Sequence, residues 1–280
     1  SNAHIPNNST RYLTVVYLIP EVEIDGLEEI CVGDSVELFF DFIPELAPLT
    51  IDVTDGTTTF TLEGLNPGDG VFFTPAETTT YTVLTSSSPL SCCGIDETEA
   101  GEHMVTVNPL PTVILGSDTT ICEGDSYLLD ADNPGSTYLW GDGETTQTID
   151  VAVAGTYHVI VTDLNGCINS DTMELFIELP PNPGSDSSVT VCNSSDEIDL
   201  NTLLSMDAET GGVWTETTPA PSGSFNALTG ILTILDLAAG TYNFAYSVSG
   251  EFCSDQSANF NVAVVEQPWA GENALTAICT

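Results

Sequence analysis

The sequence predicts an all-β protein built from tandem modules. A proline closes an apolar run and a cysteine follows eleven positions later at four places, namely Pro20 and Cys31, Pro111 and Cys122, Pro181 and Cys192, and Pro268 and Cys279. Proline cannot donate a hydrogen bond to a sheet ladder, so each marks the end of a strand, and we expect each cysteine to head a new one. The apolar runs are short and β-branched, with no sustained helical period. Four repeats at one spacing indicate tandem modules.

We expect three complete modules, at residues 21–109, 110–180 and 181–267. Residues 1–20 are interpreted as a cloning scar, Ser1-Asn2-Ala3, followed by the last strand of a preceding module, and residues 268–280 as the start of a truncated fourth. Turn-forming Gly, Asn, Asp and Pro clusters separate the β-rich runs. These runs predict strands at 36–40, 49–53, 57–62, 71–74, 81–84, 103–107, 127–129, 137–140, 146–151, 156–161, 172–177, 213–215, 230–235, 241–248 and 258–265. A short helical turn is predicted within 199–206.

The eight cysteines indicate an oxidising, extracytoplasmic compartment. The box Ala-Gly-Thr-Tyr at 154–157 recurs at 239–242, and Thr-Tyr at 80–81 is its counterpart in the first module. A cysteine follows each tyrosine after ten or eleven residues, which provides one opening and one closing cysteine per module. This spacing predicts three disulfides within modules, namely Cys31–Cys92 (or Cys31–Cys93, since spacing favours Cys92 only slightly), Cys122–Cys167 and Cys192–Cys253. It leaves Cys279 unpaired.

The tryptophan spacing favours immunoglobulin-like β-sandwiches. Such domains bury a tryptophan against a disulfide that joins their two sheets. Trp214 lies 22 residues after Cys192 and Trp140 lies 18 after Cys122, whereas the first module has Val53 at the same distance as Trp214. We expect these three side chains in the module cores, together with Tyr81, Tyr157 and Tyr242 of the tyrosine box.

The charge is extreme, because 42 acidic residues face a single basic one and the formal net charge is −41. Nucleic acid is excluded as a partner, since phosphate binding needs clustered Lys and Arg. No apolar run approaches the roughly 18 residues of a membrane span, so we expect no membrane insertion. We expect a monomer whose self-repulsion is screened by salt or by bound calcium.

Acidic residues in the linkers are the candidate calcium ligands. Asp25, Asp118, Asp186 and Glu272 each precede or adjoin an opening cysteine. Calcium needs several converging oxygens at about 2.4 Å, and a module junction could gather them from a linker and its neighbouring loops. The competing interpretation is a solvated acidic linker, and no EF-hand motif is present. We therefore expect no required cofactor and keep Ca²⁺ as a hypothesis.

Catalytic motifs are absent from the sequence. It has three histidines, His4, His103 and His158, and no HExxH, GxSxG or phosphate-binding loop. We therefore expect no enzymatic activity. Carbohydrate binding would need an exposed aromatic platform, and Trp269 is the tryptophan that the core prediction leaves free for that role.

The segments ICEGDSYLLDA, YLWGDGETTQTIDV and AGTYHVIVTDLNGC resemble the Ig-like and PKD-like repeats of very large surface proteins of Bacteroidota. The third module, with GGVWTETTPAPSGSFN, looks like a second subtype from the same proteins. The resemblance implies an extracellular or cell-surface, adhesin-like stalk, of a kind often exported by the type IX system and sometimes tied to gliding. It names no ligand, which we expect to be a glycan or a protein bound by the full-length protein. We expect a non-enzymatic structural or adhesive stalk segment, and the alternative is an array of carbohydrate-binding modules.

Overall fold

The computed structural model describes residues 21–88 and 101–266, and this part of the chain is all-β. It contains twenty-one strands and short 3-10 turns, and within these ranges no helix is long and apolar enough to cross a membrane. The predicted strands are confirmed, most with ends shifted by a few residues. The sequence did not predict the short strands that precede each opening cysteine.

The first repeat contains two sheets. Its strands are β1 (Glu23–Gly26), β2 (Glu29–Cys31), β3 (Val36–Asp41), β4 (Leu49–Thr54), β5 (Thr59–Leu65), β6 (Asp69–Phe73), β7 (Thr79–Ser87) and β8 (Glu102–Asn108). One sheet has the order β1-β3-β6 and the other the order β2-β8-β7-β4-β5. Strand β3 alternates buried and more exposed side chains, as expected for a strand with one face on a core.

The second repeat has the same plan with fewer strands. They are β9 (Thr119–Cys122), β10 (Tyr127–Asp130), β11 (Thr137–Trp140), β12 (Thr148–Val151), β13 (Gly155–Thr162) and β14 (Ile168–Glu178). The sheet orders are β10-β12 and β11-β13-β14-β9.

The third repeat adds a strand to the smaller sheet. Its strands are β15 (Ser187–Cys192), β16 (Glu197–Asp199), β17 (Val213–Glu216), β18 (Phe225–Asn226), β19 (Ile231–Thr233), β20 (Gly240–Val248) and β21 (Gln256–Val265). The sheets run β15-β21-β20-β17 and β16-β19-β18. The predicted helical turn is a 3-10 helix at Leu200–Leu203, whose first turn is capped by the Asp199 carboxylate accepting from the Asn201 N–H.

The strand order identifies immunoglobulin-like sandwiches. In every repeat one sheet runs from the short opening strand to the last strand, then the second-to-last strand, then the strand in the middle of the repeat. The opening strand pairs in parallel with the last one, and the strand after the opening cysteine pairs in the other sheet. This is the Greek-key connectivity of the immunoglobulin fold. The predicted fold class, tandem immunoglobulin-like sandwiches, is confirmed.

The opening cysteines end strands, and the prediction that each heads a new strand was wrong. After Cys31 and Cys122 the chain turns, because the N–H groups of Asp34 and Asp125 donate to the two cysteine carbonyls at 3.0 Å. Gly33 and Gly124 occupy these turns at positive φ, where a side chain would be strained. The next strand starts only after the turn.

The described chain divides into two compact units. Unit 1 comprises the described residues up to Ile114, with Ala131–Gln147 and Val159–Asp171, and unit 2 comprises Leu115–Asp130, Thr148–His158 and the described residues from Thr172 onward. Unit 1 has a core cluster that includes Leu38, Phe40 and Ile51, and unit 2 has one built on Trp214, Phe244 and Phe260. The domain boundaries near residues 109 and 180 stay a prediction, and residues 1–20 and 268–280 lie outside the described parts.

Candidate functional site: cysteine junctions and an aromatic groove

Each opening cysteine lies beside the end of the last strand of its repeat. Cys31 is in register with Asn108, and Cys122 is in register with Glu178. The residue after each cysteine extends the ladder by one bond, since the N–H of Val32 donates to the Asn108 carbonyl at 2.9 Å and the N–H of Glu123 donates to the Glu178 carbonyl at 2.8 Å. The parallel pairing therefore carries the opening cysteine to the end of the sandwich where the chain leaves for the next repeat.

The disulfides join each opening cysteine to the closing cysteine of the following repeat. Cys31 is bonded to Cys167 with the Cα atoms 5.5 Å apart, and Cys122 is bonded to Cys253 with the Cα atoms 4.8 Å apart. Both separations are ordinary for disulfides. The sulfur of Cys253 lies 3.4 Å from the Glu178 carbonyl oxygen, and that of Cys167 lies 4.0 Å from the carbonyl oxygen of Asn108. The two junctions therefore have the same local geometry.

The predicted pairs Cys31–Cys92 (or Cys93), Cys122–Cys167 and Cys192–Cys253 were wrong. The reason is the length of the last strand. In the third repeat Cys192 is in register with Val265, at the end of β21, whereas Cys253 precedes its first residue, Gln256. Ten residues of strand separate those two positions by about 30 Å, and disulfide Cα atoms lie within about 7 Å.

Cys192, the opening cysteine of the third repeat, has the same backbone pairing as the opening cysteines Cys31 and Cys122. The N–H of Asn193 donates to the Val265 carbonyl at 3.0 Å, as at the preceding junctions. Cys192 is disulfide-bonded, and its partner lies outside the described residues, as do Cys92, Cys93 and Cys279.

At the Cys122–Cys253 junction, the carboxylate of Glu178 also binds two backbone N–H groups. The side chain of Glu178 accepts from the N–H of Glu251 at 3.0 Å and from the N–H of Phe252 at 2.9 Å, in the turn that leads into Cys253. Charge-assisted bonds of this kind are stronger than neutral ones. Glu178 thus contacts the closing turn of the third repeat through both its side chain and its carbonyl.

The candidate calcium ligands do not come together in the described residues. Asp118 accepts from the N–H of Glu174 at 2.9 Å, and Asp186 accepts from the N–H of Asn259 at 2.7 Å, so each ties a linker to the last strand of its own repeat. Asp25 accepts from the N–H of Gly26, and Glu272 lies outside the described residues. Residues 21–88 and 101–266 contain no group of three or more His, Cys, Asp or Glu side chains arranged to hold a metal ion.

The two described tryptophans are buried with satisfied indole N–H groups. Trp140 donates to the Thr146 carbonyl at 2.8 Å, and Trp214 donates to Asn201 Oδ1 at 3.0 Å. Trp214 packs against the rings of Tyr246 and Phe260, with centroids 5.0 and 4.9 Å away. Aromatic rings, rather than a disulfide, therefore pack on this tryptophan, because the cysteines lie at the ends of the sandwiches.

The tyrosine box has two different environments. Tyr81 is buried in the first core, as is Val53. Tyr157 and Tyr242 are half-buried, and their hydroxyls donate to the carbonyls of Val153 and Ala238, each four residues upstream, at 2.7 and 3.0 Å. A tyrosine that bonds back to the backbone before its strand is the tyrosine corner of immunoglobulin-type sandwiches.

A groove of about 440 Å³ opens at one side of the first repeat. Its lining includes the rings of Phe60, Phe72, Phe73 and Tyr81 and the carboxylates of Asp55 and Glu77. Burial, and then the nearby charge of Asp55, raise the pKa of Tyr81 above its ordinary value. The sequence did not predict this site, because the run at 71–74 predicted only a strand.

Comparisons with known proteins place this chain in no family. No family model matches it, and no curated protein matches it. Among solved structures, a 1.5-MDa bacterial ice-binding adhesin is 12% identical over 90% of this chain and 99% of that chain, with a TM-score of 0.33. The Bacteroides ovatus surface protein SGBP-B, in complex with a mixed-linkage heptasaccharide, is 14% identical over 99% and 74%, with a TM-score of 0.23. Immunoglobulin domains 1–4 of Sidekick-1 are 12% identical over 89% and 76%, with a TM-score of 0.24. Scores this low support no inference about function, and the fold assignment rests on the strand order.

Proposed function

We propose that this chain is a non-enzymatic spacer segment of a secreted surface protein, whose repeats are covalently joined. The observation that supports the proposal is the pair of disulfides Cys31–Cys167 and Cys122–Cys253, each of which runs from one repeat to the next. A disulfide inside a domain stabilises that domain alone. A disulfide between consecutive domains also restricts their relative motion, which is a useful property in a spacer.

The energetic contribution of these bonds is large for small domains. Each closes a loop of more than 130 residues, for which the chain-entropy model predicts about 5 kcal/mol of stabilisation. The whole unfolding free energy of a single domain is about 5–15 kcal/mol. Such bonds persist only in an oxidising compartment, so we propose an extracellular or cell-surface location.

The Bacteroidota resemblance supports an adhesin-like stalk, and we propose that the full-length protein carries its ligand-binding part elsewhere. We propose that the charge of −41 adapts the surface to salt rather than to a metal, since Asp118 and Asp186 already accept backbone hydrogen bonds. Carbohydrate binding is less favoured, because Trp140 and Trp214 are buried and offer no platform. Trp269 lies outside the described residues.

The proposal is tested by small-angle X-ray scattering of the oxidised protein, the reduced protein and the variant Cys122→Ser with Cys253→Ser. We expect the oxidised protein to have a narrow interatomic distance distribution. Reduction and the double substitution should both broaden it at long distances, because junctions held only by a single-chain linker sample more orientations. Identical distributions in all three samples, with circular dichroism showing folded repeats, would contradict a covalently restricted spacer.

A further inference from the structure

The groove of the first repeat lies where the two sheets of its sandwich end. Strand β5 is the edge of one sheet and β6 is the edge of the other. In the third repeat the position beside the corresponding strand, β19, is taken by β18. Phe225 of β18 packs on Phe244 of the core, with ring centroids 4.7 Å apart. Among the described residues of the first repeat no strand takes this position, and Phe72 and part of Phe60 stay accessible there.

Buried rings form the floor of the groove, where Phe73 and Tyr81 belong to the core, and the partly exposed Phe60 and the exposed Phe72 are the accessible rings. Phe60 contacts Phe73 edge-on with centroids 5.4 Å apart, and Phe73 contacts Tyr81 at 4.6 Å. Phe72 is 66% exposed, so its ring is available to a ligand. The volume of about 440 Å³ lies in the range of small-ligand sites.

The polar groups of the groove are acidic or hydroxylic. The lining side chains carry two carboxylates and four hydroxyls, and none carries an N–H group. Asp55 is held in place, because its Oδ1 accepts from the N–H groups of Thr57 and Thr58 and from the Thr57 hydroxyl, at 2.6–2.8 Å. No hydrogen bond occupies Oδ2 of Asp55 among the described residues. A ligand must therefore bring hydrogen-bond donors and must not be an anion.

We propose that this groove binds an arginine or lysine side chain of an extended basic segment from another protein. Its cationic group would stack on the accessible rings of Phe72 and Phe60 and pair with Asp55 and Glu77, while its backbone would lie along the free edge of β6. A chain with a net charge of −41 attracts basic segments over long distances. A second copy of this chain is excluded as the partner, because two such copies repel each other and each carries one basic residue.

The test is an NMR titration of the oxidised, ¹⁵N-labelled chain with the peptide acetyl-TRFRT-amide. We expect chemical-shift changes concentrated at residues 55–60 and 71–81, and a dissociation constant that rises with salt between 20 and 200 mM NaCl. The peptide acetyl-TEFET-amide, which reverses the charge, should not bind.

Two pairs of variants separate a specific site from general attraction to an acidic protein. Phe72→Ala and Glu77→Gln should each weaken binding by about tenfold, the order expected for losing a stacking surface or a charged partner. Their matched controls, Phe252→Ala and Glu197→Gln, remove an exposed phenylalanine and an exposed carboxylate from the third repeat and should change binding by less than about twofold.

Three outcomes would overturn the proposal. One is a set of shift changes spread over the whole surface, and another is an equal loss in the groove and control variants. The third is binding of a β-glucan oligosaccharide at residues 55–60 and 71–81, independent of salt, while the basic peptide does not bind. That result would make the groove a saccharide site. None of these substitutions replaces a cysteine, so failure of the peptide-binding proposal would leave the proposed spacer function intact.

Discussion

The two disulfides overlap along the chain, and this determines how far the protein extends under force. A pull applied at residues 31 and 253 follows the shortest covalent path. That path crosses from Cys31 to Cys167, runs back over about 45 residues to Cys122, and crosses to Cys253. The residues outside the path bear no load, even when every strand has unfolded.

The expected lengths differ widely between oxidation states. An extended chain spans about 3.5 Å per residue, so the oxidised path reaches about 15 nm. Complete reduction releases about 220 residues and a length of about 75 nm between the same two positions. The variant Cys122→Ser with Cys253→Ser retains the other bond, and the path then covers about 85 residues and about 30 nm.

Single-molecule force spectroscopy measures these contour lengths directly, provided that every sample carries Cys192→Ser, which removes the third disulfide. Attachment handles at the two chain ends then add the same offset to each sample. The double variant is the decisive sample. If disulfides instead joined cysteines within repeats, this variant would lose two of them and its path would be about 160 residues, or about 55 nm. A contour length near 55 nm rather than 30 nm would refute the connectivity between repeats.

Four further predictions concern stability. Tyr242→Phe should lower the free energy of unfolding by about 1 kcal/mol in urea denaturation, since the bond to the Ala238 carbonyl is lost. Trp214→Ala should cost about 3–5 kcal/mol in the same assay, because a buried ring is removed from a packed core. Hydrogen bonds from the hydroxyls of Thr61 and Thr85 lower the pKa of Asp52. The stabilisation by the Asp52 carboxylate is therefore complete above the ordinary carboxyl pKa and is lost as the pH falls through the lowered pKa. Asp52→Ala should therefore lower the melting temperature at pH 7 and approach the parent protein well below pH 4. In calorimetry at fixed ionic strength, millimolar calcium should not raise the melting temperature, whereas added NaCl should; a rise that Asp186→Ala removes would instead establish a linker calcium site.

The local structure was largely predictable from the sequence. Short β-branched runs between Gly, Pro and Asp turns predict strands because side-chain alternation and turn chemistry are local properties. The strands that end at the opening cysteines were not predicted. The first, Glu29–Cys31, has three residues, too few to show alternation, and it exists because it pairs with a distant last strand. The groove was missed for a similar reason, since its openness depends on β6 having no second neighbouring strand among the described residues.

The sequence by itself determined the all-β class, the tandem repeats, most of the strands and the acidic surface, because composition and short-range patterns specify them. The disulfide connectivity was decided by the tertiary structure alone. Each repeat offers one opening and one closing cysteine whichever way they pair, so counting residues cannot distinguish a bond within a repeat from a bond to the next one. Parallel pairing of the opening strand with the last strand puts Cys31 and Cys122 at the exits of their sandwiches, next to the closing cysteine of the following repeat. For Cys122, the closing cysteine of the same repeat, Cys167, precedes β14 and lies a full strand length away.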